Sequence, residues 1–367
     1  RSAMTNIVIV GEAYGENEER IREAFVGSSG IELLRMLDEG GVIELTSEDQ
    51  AYIYKFWSER DPRLIDMVWR MHPEIFRTNV FNIRPRGDKI EDLCGTKAEG
   101  IPGLPSFGKS KYFRAEFEPE IDRLAQEILD QNPNLIIACG NTPCWALLGA
   151  TKITQIRGTT HLSTHCVAGY KVLPTYHPAY IMRFWDDRPT GVADFIKAAR
   201  EAKFPEIRRP KREIWIAPSL EDIRQFKSSH IDNCIQLSVD IETAGRAITC
   251  IGFAPSPSLG LVVPFVRSGK NGRNYFTNPA AEREAWRIIT AILGDARHKK
   301  TFQNGMYDIA FLWRAYGIKV INAEHDTMLL HHALYPESEK SLGYLGSIYT
   351  DEGNWKRMRR TDTIKED

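Results

Sequence analysis

The chain lacks several features that would narrow its function at once. No hydrophobic run approaches the length needed to cross a membrane, and no signal-peptide pattern opens the sequence. The net charge is −1, so any surface that binds a polyanion must be local rather than a property of the whole chain. We therefore expect a cytoplasmic, intracellular protein with no membrane association. At 367 residues, the chain is long enough for two domains.

The amino-terminal part begins with a strand, a polar loop hinged by glycine, and a helix. Ile7-Val8-Ile9-Val10 is a short β-branched run typical of a buried strand. Glu12 follows directly, where open α/β sheets place their ligands beyond the carboxyl ends of the strands. Two interpretations of Glu12 remain open from these residues alone. It is either an active-site carboxylate or an acidic residue favoured at the start of the next helix.

Three later segments repeat the pattern of an apolar strand that ends in polar residues. They run from Thr78 to Pro85, from Leu135 to Asn141, and from Val172 to Tyr180. Together with the first strand they predict one crevice at the edge of a parallel sheet. His177 lies in the last segment. From these residues alone it is either a polar group of the crevice or a core histidine whose ring is satisfied by backbone groups.

These segments resemble the family 4 uracil-DNA glycosylases. The first family motif matches Gly11 to Gly30, with Tyr14 in place of proline, and later motifs match Thr78-Asn79-Val80, Arg157-Gly158 and Thr175 to Tyr180. The resemblance covers about the first two hundred residues and leaves an insertion between Ile43 and Met71. It implies a three-layer αβα sandwich that binds DNA and holds a base flipped out of the stack.

The resemblance also implies a role for each matched position. Glu12 and His177 are the implied catalytic residues. Glu12 would offset positive charge on the sugar and orient the attacking water, while His177 would stabilise negative charge on the departing uracil. Phe25 would stack on the base, and Asn79 would read its amide edge. The implied substrate-binding residues are Tyr14, Phe25, Asn79 and Arg157.

The cysteines depart from the family pattern. Family 4 enzymes normally carry an iron–sulfur cluster on four cysteines, whereas the six cysteines here include no Cys-x-x-Cys pair. Ile83 occupies the position of one expected ligand, and the region around Phe117 contains no cysteine. We therefore predict no iron–sulfur cluster and expect the cysteines to be small core residues.

A basic, proline-containing stretch separates the two halves of the chain. Residues 203–213 hold two prolines and many cations with little apolar content, which is typical of a linker. We accordingly predict a glycosylase-like domain over residues 1–202, a basic linker over 203–213, and a second domain over 214–367.

The second domain contains a strand with two carboxylates on one face. Along Ile235 to Thr243, the apolar residues alternate with polar ones, so that Asp240 and Glu242 share one face. Two neighbouring carboxylates on one face favour a hard divalent cation between them. A strand face exposed to solvent would also explain this pattern of acidic residues. Two further strands, Ile248 to Ala254 and Gly260 to Val266, predict an antiparallel meander.

A helix that opens with Asn304 and continues through Asp308 extends this pattern. Together with Asp240 and Glu242 it resembles the first two motifs of the DEDD 3′–5′ exonucleases, most closely the proofreading domain of phage-type family A DNA polymerases. Asp326-Thr327-Met328-Leu329 strengthens the resemblance. It implies a ribonuclease-H-like domain with a mixed sheet.

The exonuclease resemblance also implies a metal site. Asp240, Glu242 and Asp308 would hold Mg²⁺ or Mn²⁺, and Asn304 would contact substrate. The third motif of this family, which supplies the last carboxylate, is not found before Asp367. We therefore expect either a fragment truncated at its C-terminus or a degenerate exonuclease.

Three functional hypotheses remain. In the first, the chain is the amino-terminal part of a phage-type DNA polymerase that excises uracil and trims 3′ ends, located in the host cytoplasm. Its polymerase domain would then lie beyond the C-terminus or act in trans. In the second, the chain is a catalytically silent module that binds or senses template DNA. In the third, both sites are relics in an interaction scaffold.

Overall fold

The computed structural model describes residues 6–267 and 273–352, which form two compact units. The first unit contains described residues 6–208 and 343–352, and the second contains 209–267 and 273–342. The sequence analysis had placed everything after residue 213 in the second domain. The difference arises because residues 343–352 form their hydrogen bonds with helices and loops of the first unit.

The first unit is organised around a five-stranded sheet with the order β2-β1-β5-β7-β6, beside a small ribbon of β3 and β4. The strands are β1 (Ile7–Ala13), β2 (Ile75–Phe81), β3 (Cys94–Gly95), β4 (Tyr112–Phe113), β5 (Leu135–Cys139), β6 (His161–Leu162) and β7 (Lys171–Thr175). The helices are α1 (Glu16–Ile21), α2 (Ser28–Glu39), α3 (Ser47–Glu59), α4 (Pro62–Arg70), α5 (Glu118–Gln131), α6 (Asn141–Leu148), α7 (Ile153–Ile156), α8 (Pro178–Arg183) and α9 (Arg188–Glu201).

Both faces of this sheet are covered, which makes it the middle layer of a three-layer αβα sandwich. Alternate residues of β1 enter different cores: Ile7 and Ile9 pack with α2, whereas Val8 and Val10 pack with α5 and α6. A parallel strand buried on both faces must be apolar throughout, as β1 is. The predicted sandwich is confirmed.

The region between residues 88 and 110, which is rich in glycine, proline and lysine, contains regular structure. It has short 3₁₀ turns and the strand β3, which pairs with β4. Ile90, Leu93 and Ile101 are buried in the core that α5 covers. The apolar residues spaced among the glycines and prolines provide this anchorage.

The insertion between Ile43 and Met71 forms two helices that support the loop after α1. Thr46 begins α3 with a capping box, as predicted. Trp69 of α4 is buried, and its indole Nε1 donates a hydrogen bond of 2.9 Å to the backbone oxygen of Phe25. The insertion therefore fixes the backbone of Phe25.

The second unit has a six-stranded mixed sheet with the order β13-β12-β9-β10-β11-β8. Its strands are β8 (Glu213–Ile216), β9 (Gln236–Ala244), β10 (Ala247–Ser256), β11 (Leu259–Pro264), β12 (Lys299–Phe302) and β13 (Ala323–Asp326). Its helices are α10 (Leu220–Phe226), α11 (Pro279–Gly294), α12 (Gly305–Tyr316) and α13 (Thr327–Leu334), and the final helix α14 (Leu342–Tyr349) leads back to the first unit.

The observed sheet agrees with the predicted meander and with a ribonuclease-H-like mixed topology. Strand β10 pairs antiparallel with both β9 and β11, while β12 joins β9 in parallel. The strand begins one residue later than the predicted alternation, because β9 starts at Gln236, and Ile235 is 76% exposed. No helix in the described ranges is long and apolar enough to cross a membrane.

Replacing Trp69 with Phe tests the support that the insertion gives to Phe25. The substitution keeps an aromatic ring but leaves the Phe25 carbonyl without its indole donor. An unsatisfied buried acceptor costs about 1–3 kcal/mol, and we expect the free energy of unfolding to fall by that amount. Urea unfolding followed by circular dichroism measures it, with Trp57→Phe on the exposed side of α3 as the control. Equal stability of the two variants would contradict the assignment.

Candidate functional site

The first candidate site lies at the carboxyl ends of β1, β2 and β7. In the parallel register, Gly11 of β1 is opposite Asn79 of β2, and β7 ends just before His177. We call the resulting cavity the base pocket; the predicted residues that line it are Glu12, Tyr14, Phe25, Asn79 and His177. Its volume is about 180 Å³, below the roughly 300–1,000 Å³ of pockets for drug-sized ligands. The pocket therefore suits one small ring.

Phe25 forms the aromatic wall of the base pocket. Its backbone is left-handed, with φ = 54°, and a Cβ at Gly30 would lie only 1.8 Å from its carbonyl oxygen. Glycine at position 30 is therefore required for this turn. The Phe25 ring stacks with the His177 ring at a centroid distance of 5.9 Å.

Asn79 brings an amide donor that the protein itself does not satisfy. The residue is 3% exposed, and its Nδ2 has no hydrogen-bond partner among the described residues. Leaving a buried donor without an acceptor costs about 1–3 kcal/mol. This donor in the pocket wall can therefore bind an acceptor that enters from outside the protein.

His177 is held as a neutral imidazole with a defined tautomer. The backbone N–H of Ala179 donates to its Nδ1 at 3.1 Å, so the proton of the neutral ring is on Nε2. Burial lowers the pKa of His177 to about 4, and the charge of Arg183 acts in the same direction. The ring is therefore a neutral hydrogen-bond donor at physiological pH.

Glu12 is oriented by a residue far along the chain. The hydroxyl of Thr142, a buried residue in the first turn of α6, donates to Oε2 of Glu12 at 2.5 Å. Burial raises the pKa of Glu12, and this hydrogen bond opposes the rise. Thr142 thus helps to keep the carboxylate ionised and in place.

Tyr14, which replaces the proline of the family motif, is part of the pocket wall. Its hydroxyl donates to the backbone oxygen of Arg22 at 3.0 Å, and burial raises its pKa to about 12. The hydroxyl is thus already engaged, so the ring is the part of Tyr14 that contributes to the pocket.

The resemblance implied that Arg157 binds substrate, but Arg157 does not line the base pocket. It is 3% exposed and pairs with the fully buried Asp194 through two N–H groups. The carboxylate of Asp194 also accepts from Thr175, two residues before His177. Arg157 therefore supports the strand behind the pocket.

The second candidate site brings the predicted exonuclease carboxylates to one edge of β9. Pairing of β12 with β9 reaches Ser238 and stops there, which leaves the β9 edge at Ile241 open to α12. Oδ1 of Asp308 accepts from the backbone N–H of Ile241 at 3.1 Å. Because Ile241 stands between Asp240 and Glu242, Asp308 meets the strand at that pair of carboxylates.

The charge around Asp308 is negative. Burial raises the pKa of Asp308, the N–H of Ile241 opposes this, and the charges of Asp326 and Glu242 raise it further. Hard carboxylate oxygens under mutual repulsion fit a divalent cation. The donor set is therefore consistent with the predicted metal.

Asp326 has a structural role at the start of α12, while the contact of the Asn304 side chain with substrate stays a prediction. Asn304 precedes the helix in a left-handed conformation instead of opening it. Oδ1 and Oδ2 of Asp326 accept from the backbone N–H groups of Asn304 and Gly305, and Oδ1 also caps α13 through Met328. Asp326 thus fixes the turn that presents Asp308. The region after Trp355, where the third exonuclease motif was sought, lies outside the described residues.

The cysteines do not fit an iron–sulfur cluster. All six are free, and Cys139 and Cys144 are fully buried, Cys139 in the core that α2 covers and Cys144 in the core that α5 covers. Burial raises the pKa of both thiols well above the usual range, whereas cluster ligands are thiolates. Cys139 and Cys144 are therefore packing residues.

Another group of potential metal ligands in the second unit is already paired internally. Donor atoms of Asp232, Asp295 and His298 lie within 4.8 Å of one another. However, Lys227 pairs with Asp232, and Arg297 pairs with both carboxylates. The group therefore forms an ion-pair network that neutralises its own charge.

The αβα sandwich, with a small cavity at the carboxyl ends of its parallel strands, places the chain among the open-sheet α/β proteins. Residues 2–203 match the family model of the uracil DNA glycosylase superfamily. This match spans more than half of the chain, and the chain belongs to that superfamily. A Type-4 uracil-DNA glycosylase from Thermotoga maritima is 26% identical over 181 residues, which are 49% of this chain and 67% of that protein.

Residues 223–352 match the family model of the 3′–5′ exonucleases. Both families consist of hydrolytic DNA-processing enzymes, as the sequence analysis predicted.

Similar solved structures cover limited parts of this chain. NrnC of Brucella melitensis, solved with bound Mg²⁺, is 16% identical with a TM-score of 0.27, and the match covers 39% of this chain and 61% of NrnC. RNase D of Escherichia coli is 15% identical with a TM-score of 0.30, and the match covers 42% of this chain and 37% of RNase D. The chain thus spans less than two thirds of either nuclease.

Sequence reasoning missed three residues that position the base pocket. Thr142 orients Glu12, Trp69 holds the Phe25 carbonyl, and Asp194 binds Thr175. Thr142 directly follows the strand and glycine turn predicted at 135–141, and this position could have indicated a role at the site. Trp69 lies in the insertion, which matches no family motif, and no motif surrounds Asp194.

The neutral state of His177 gives a prediction about pH. Between pH 6.5 and about 4 the unfolded chain binds a proton that folded His177 does not. Stability from this residue is therefore intact above pH 6.5 and falls by about 3 kcal/mol as the pH drops to about 4. An NMR titration should show its ring signals unchanged above about pH 5. The His177→Asn variant assigns the signals and should lose this part of the stability slope. A ring that titrates near pH 6.5 would contradict the assignment.

Proposed function

We propose that the first unit excises uracil from DNA by hydrolysing the glycosidic bond of a flipped nucleotide. The observation that carries this proposal is the buried Asn79 amide, which has no partner among the described residues and lies in a pocket with an aromatic wall. Uracil offers a carbonyl acceptor beside an N–H donor, and the Asn79 side chain can pair with both. A flat ring also fits against Phe25.

The reacting groups fit this hydrolysis without a metal. As the bond between uracil N1 and sugar C1′ breaks, the electron pair leaves with the base, and Nε2–H of His177 stabilises the anion. The carboxylate of Glu12 stabilises the positive sugar and orients a water molecule, whose oxygen bonds to C1′ and whose proton is released. The products are a free base and an abasic sugar.

Exposed aromatic residues that follow α8 provide a surface for the DNA stack. Phe184 and Trp185 are each more than half exposed, a few residues beyond His177. Phe184 stacks on Tyr180, and the guanidinium of Arg188 lies 5.0 Å from the Trp185 ring. Rings held by their neighbours in this way can contact bases next to the gap left by the flipped nucleotide.

The second unit is proposed to be a metal-dependent 3′–5′ exonuclease. Asp240, Glu242 and Asp308 would hold Mg²⁺ or Mn²⁺, which when bound activates water and stabilises the leaving oxygen. The support from this chain is the contact between Asp308 and Ile241, which brings a buried carboxylate to the strand that carries the other two.

We also propose that the chain works in DNA replication with a family A polymerase domain, in cis or in trans, in the cytoplasm of a phage-infected host. The support is the order of the two matched families and the resemblance of the second to polymerase proofreading domains. A silent DNA-binding module is the alternative, and it is favoured by the absence of cluster cysteines and by Tyr14 in place of proline.

Uracil excision by the first unit is tested with a 5′-labelled oligonucleotide that contains one uracil, incubated in EDTA and then treated with alkali. Wild type should cleave at the uracil, because its catalytic groups are side chains. Glu12→Gln should lower the rate about 10²–10⁴-fold, while Glu16→Gln, an exposed change at the start of α1, should not. An intact oligonucleotide that still binds the wild-type protein in a shift assay would favour the silent module.

Exonuclease activity is tested by the 3′ ladder that forms with Mg²⁺ and disappears with EDTA. Asp308→Asn keeps an oxygen for the Ile241 N–H but removes the charge. We expect it to lower the rate at least about a hundredfold without loss of folding. Glu324→Gln, an exposed change in the same unit, is the control. An unchanged ladder in Asp308→Asn would exclude this site.

A further inference from the structure

Residues 343–352, which we call the terminal clip, pack on the first unit although they follow the second in the chain. Tyr344 and Thr190 of α9 share a hydrogen bond of 2.6 Å between their hydroxyls. The Ser347 hydroxyl accepts from Arg157 at 2.9 Å. Asp351 pairs with Arg200, and the backbone oxygen of Glu352 accepts from Thr159 at 3.2 Å. The clip is thus attached along its length.

Lys197 receives the C-terminal end of α14. Its ammonium donates to the backbone oxygens of Gly158 at 2.8 Å, of Ser347, and of Thr350 at 2.6 Å. These three acceptors use all three of its N–H donors, and two of them belong to the clip. Because the last carbonyls of a helix lack helical partners and carry partial negative charge, they are suited to a buried cation.

The buried charges beneath the clip are incomplete without it. Arg157, Lys197 and Asp194 are each at most 6% exposed, and they comprise two cations and one carboxylate. The carbonyls at the end of α14 supply the remaining negative potential. Burial also lowers the pKa of Lys197 to about 8, as expected for an ammonium that depends on these contacts.

The same charges connect the clip to the base pocket. Arg157 binds Ser347 on one side and Asp194 on the other. Asp194 accepts from the Thr175 hydroxyl at 2.8 Å, and the Arg157 guanidinium lies 5.6 Å from the Tyr176 ring. Thr175 and Tyr176 are the two residues before His177. A continuous set of contacts therefore leads from the clip to the strand end that presents the imidazole.

We propose that the terminal clip positions His177: the end of α14 completes the buried cluster of Arg157, Asp194 and Lys197, which in turn fixes the backbone at Thr175 and Tyr176. The proposal rests on the proposed uracil excision for its kinetic consequence. In this chain the glycosylase unit requires a segment that lies well beyond residue 203, where the family match ends. Ser347 and Lys197 are positioning residues.

The test uses the full chain with Lys197→Met, which keeps the side chain unbranched and removes the ammonium. Hydrogen exchange should become faster both in the clip and at residues 174–180. The kcat for uracil excision should fall at least about tenfold, since a small misplacement of a catalytic group costs rate. KM should change less than about twofold, because the residues that contact the base are untouched. Ile196→Gln, an exposed change on the same helix, is the matched control.

A smaller substitution provides a second test in case Lys197→Met does not fold. Ser347→Ala removes only the hydroxyl that accepts from Arg157, and we expect the same pattern with a smaller amplitude. Ser347→Thr, which keeps the hydroxyl, should restore both exchange and kcat. Leu342→Gln, at an exposed position of α14, is its control.

The outcomes are distinguishable. Unchanged exchange in the clip would overturn its docking through Lys197. Faster exchange in the clip, with residues 174–180 and kcat unchanged, would leave a purely structural contact and overturn the positioning role. If wild type does not excise uracil, the proposed function fails, but coupled exchange between the clip and residues 174–180 would still support the positioning of His177.

Discussion

The parallel pairing of β1 with β2 is the constraint on which the base pocket depends. It sets Asn79 opposite Gly11, and a Cβ at Gly11 would lie 2.2 Å from Oδ1 of Asn79 and 2.6 Å from Cζ of Phe25. One position without a side chain therefore allows the amide and the aromatic ring to approach the same strand. Glu12 is the next residue of that strand, so the register brings together the three groups to which the proposed excision assigns base reading, stacking and catalysis.

Burial also acts on the charge of the two side chains that the proposed excision uses for catalysis. It lowers the pKa of His177 and raises that of Glu12, which favours the neutral form of both. The consequences differ, because a neutral imidazole is a useful donor to a departing anion, whereas Glu12 must be ionised to oppose a positive sugar. Thr142 supports the ionised form of Glu12, and the Ala179 N–H fixes the donor nitrogen of His177. The carboxylate of Glu12 is therefore supported by the Thr142 hydroxyl and by the charge of Arg183.

The sequence allowed prediction of the strands, the αβα sandwich and the polar strand ends, because apolar runs and the turns after them are local patterns. The supports could not be predicted, since they join distant residues: Trp69 lies 44 residues from Phe25, Thr142 lies 130 from Glu12, and Ser347 lies 190 from Arg157. No local pattern encodes such pairs. The motif that contains Arg157 could be recognised in the sequence. The burial of Arg157 beside Asp194 could not, because it depends on the position of α9. Its role as a substrate contact was inferred from the resemblance alone.

Two buried carboxylates, one in each unit, differ in how their negative charge is compensated. Asp194 is 0% exposed and Asp308 is 5% exposed, so burial does not distinguish them. Asp194 is compensated by Arg157 and Thr175 within the first unit. Asp308 accepts from the backbone N–H of Ile241 and faces the like charges of Glu242 and Asp326. The first carboxylate is thus stabilised within its own unit, whereas the second lies in a negative field that a divalent cation would offset in the proposed exonuclease.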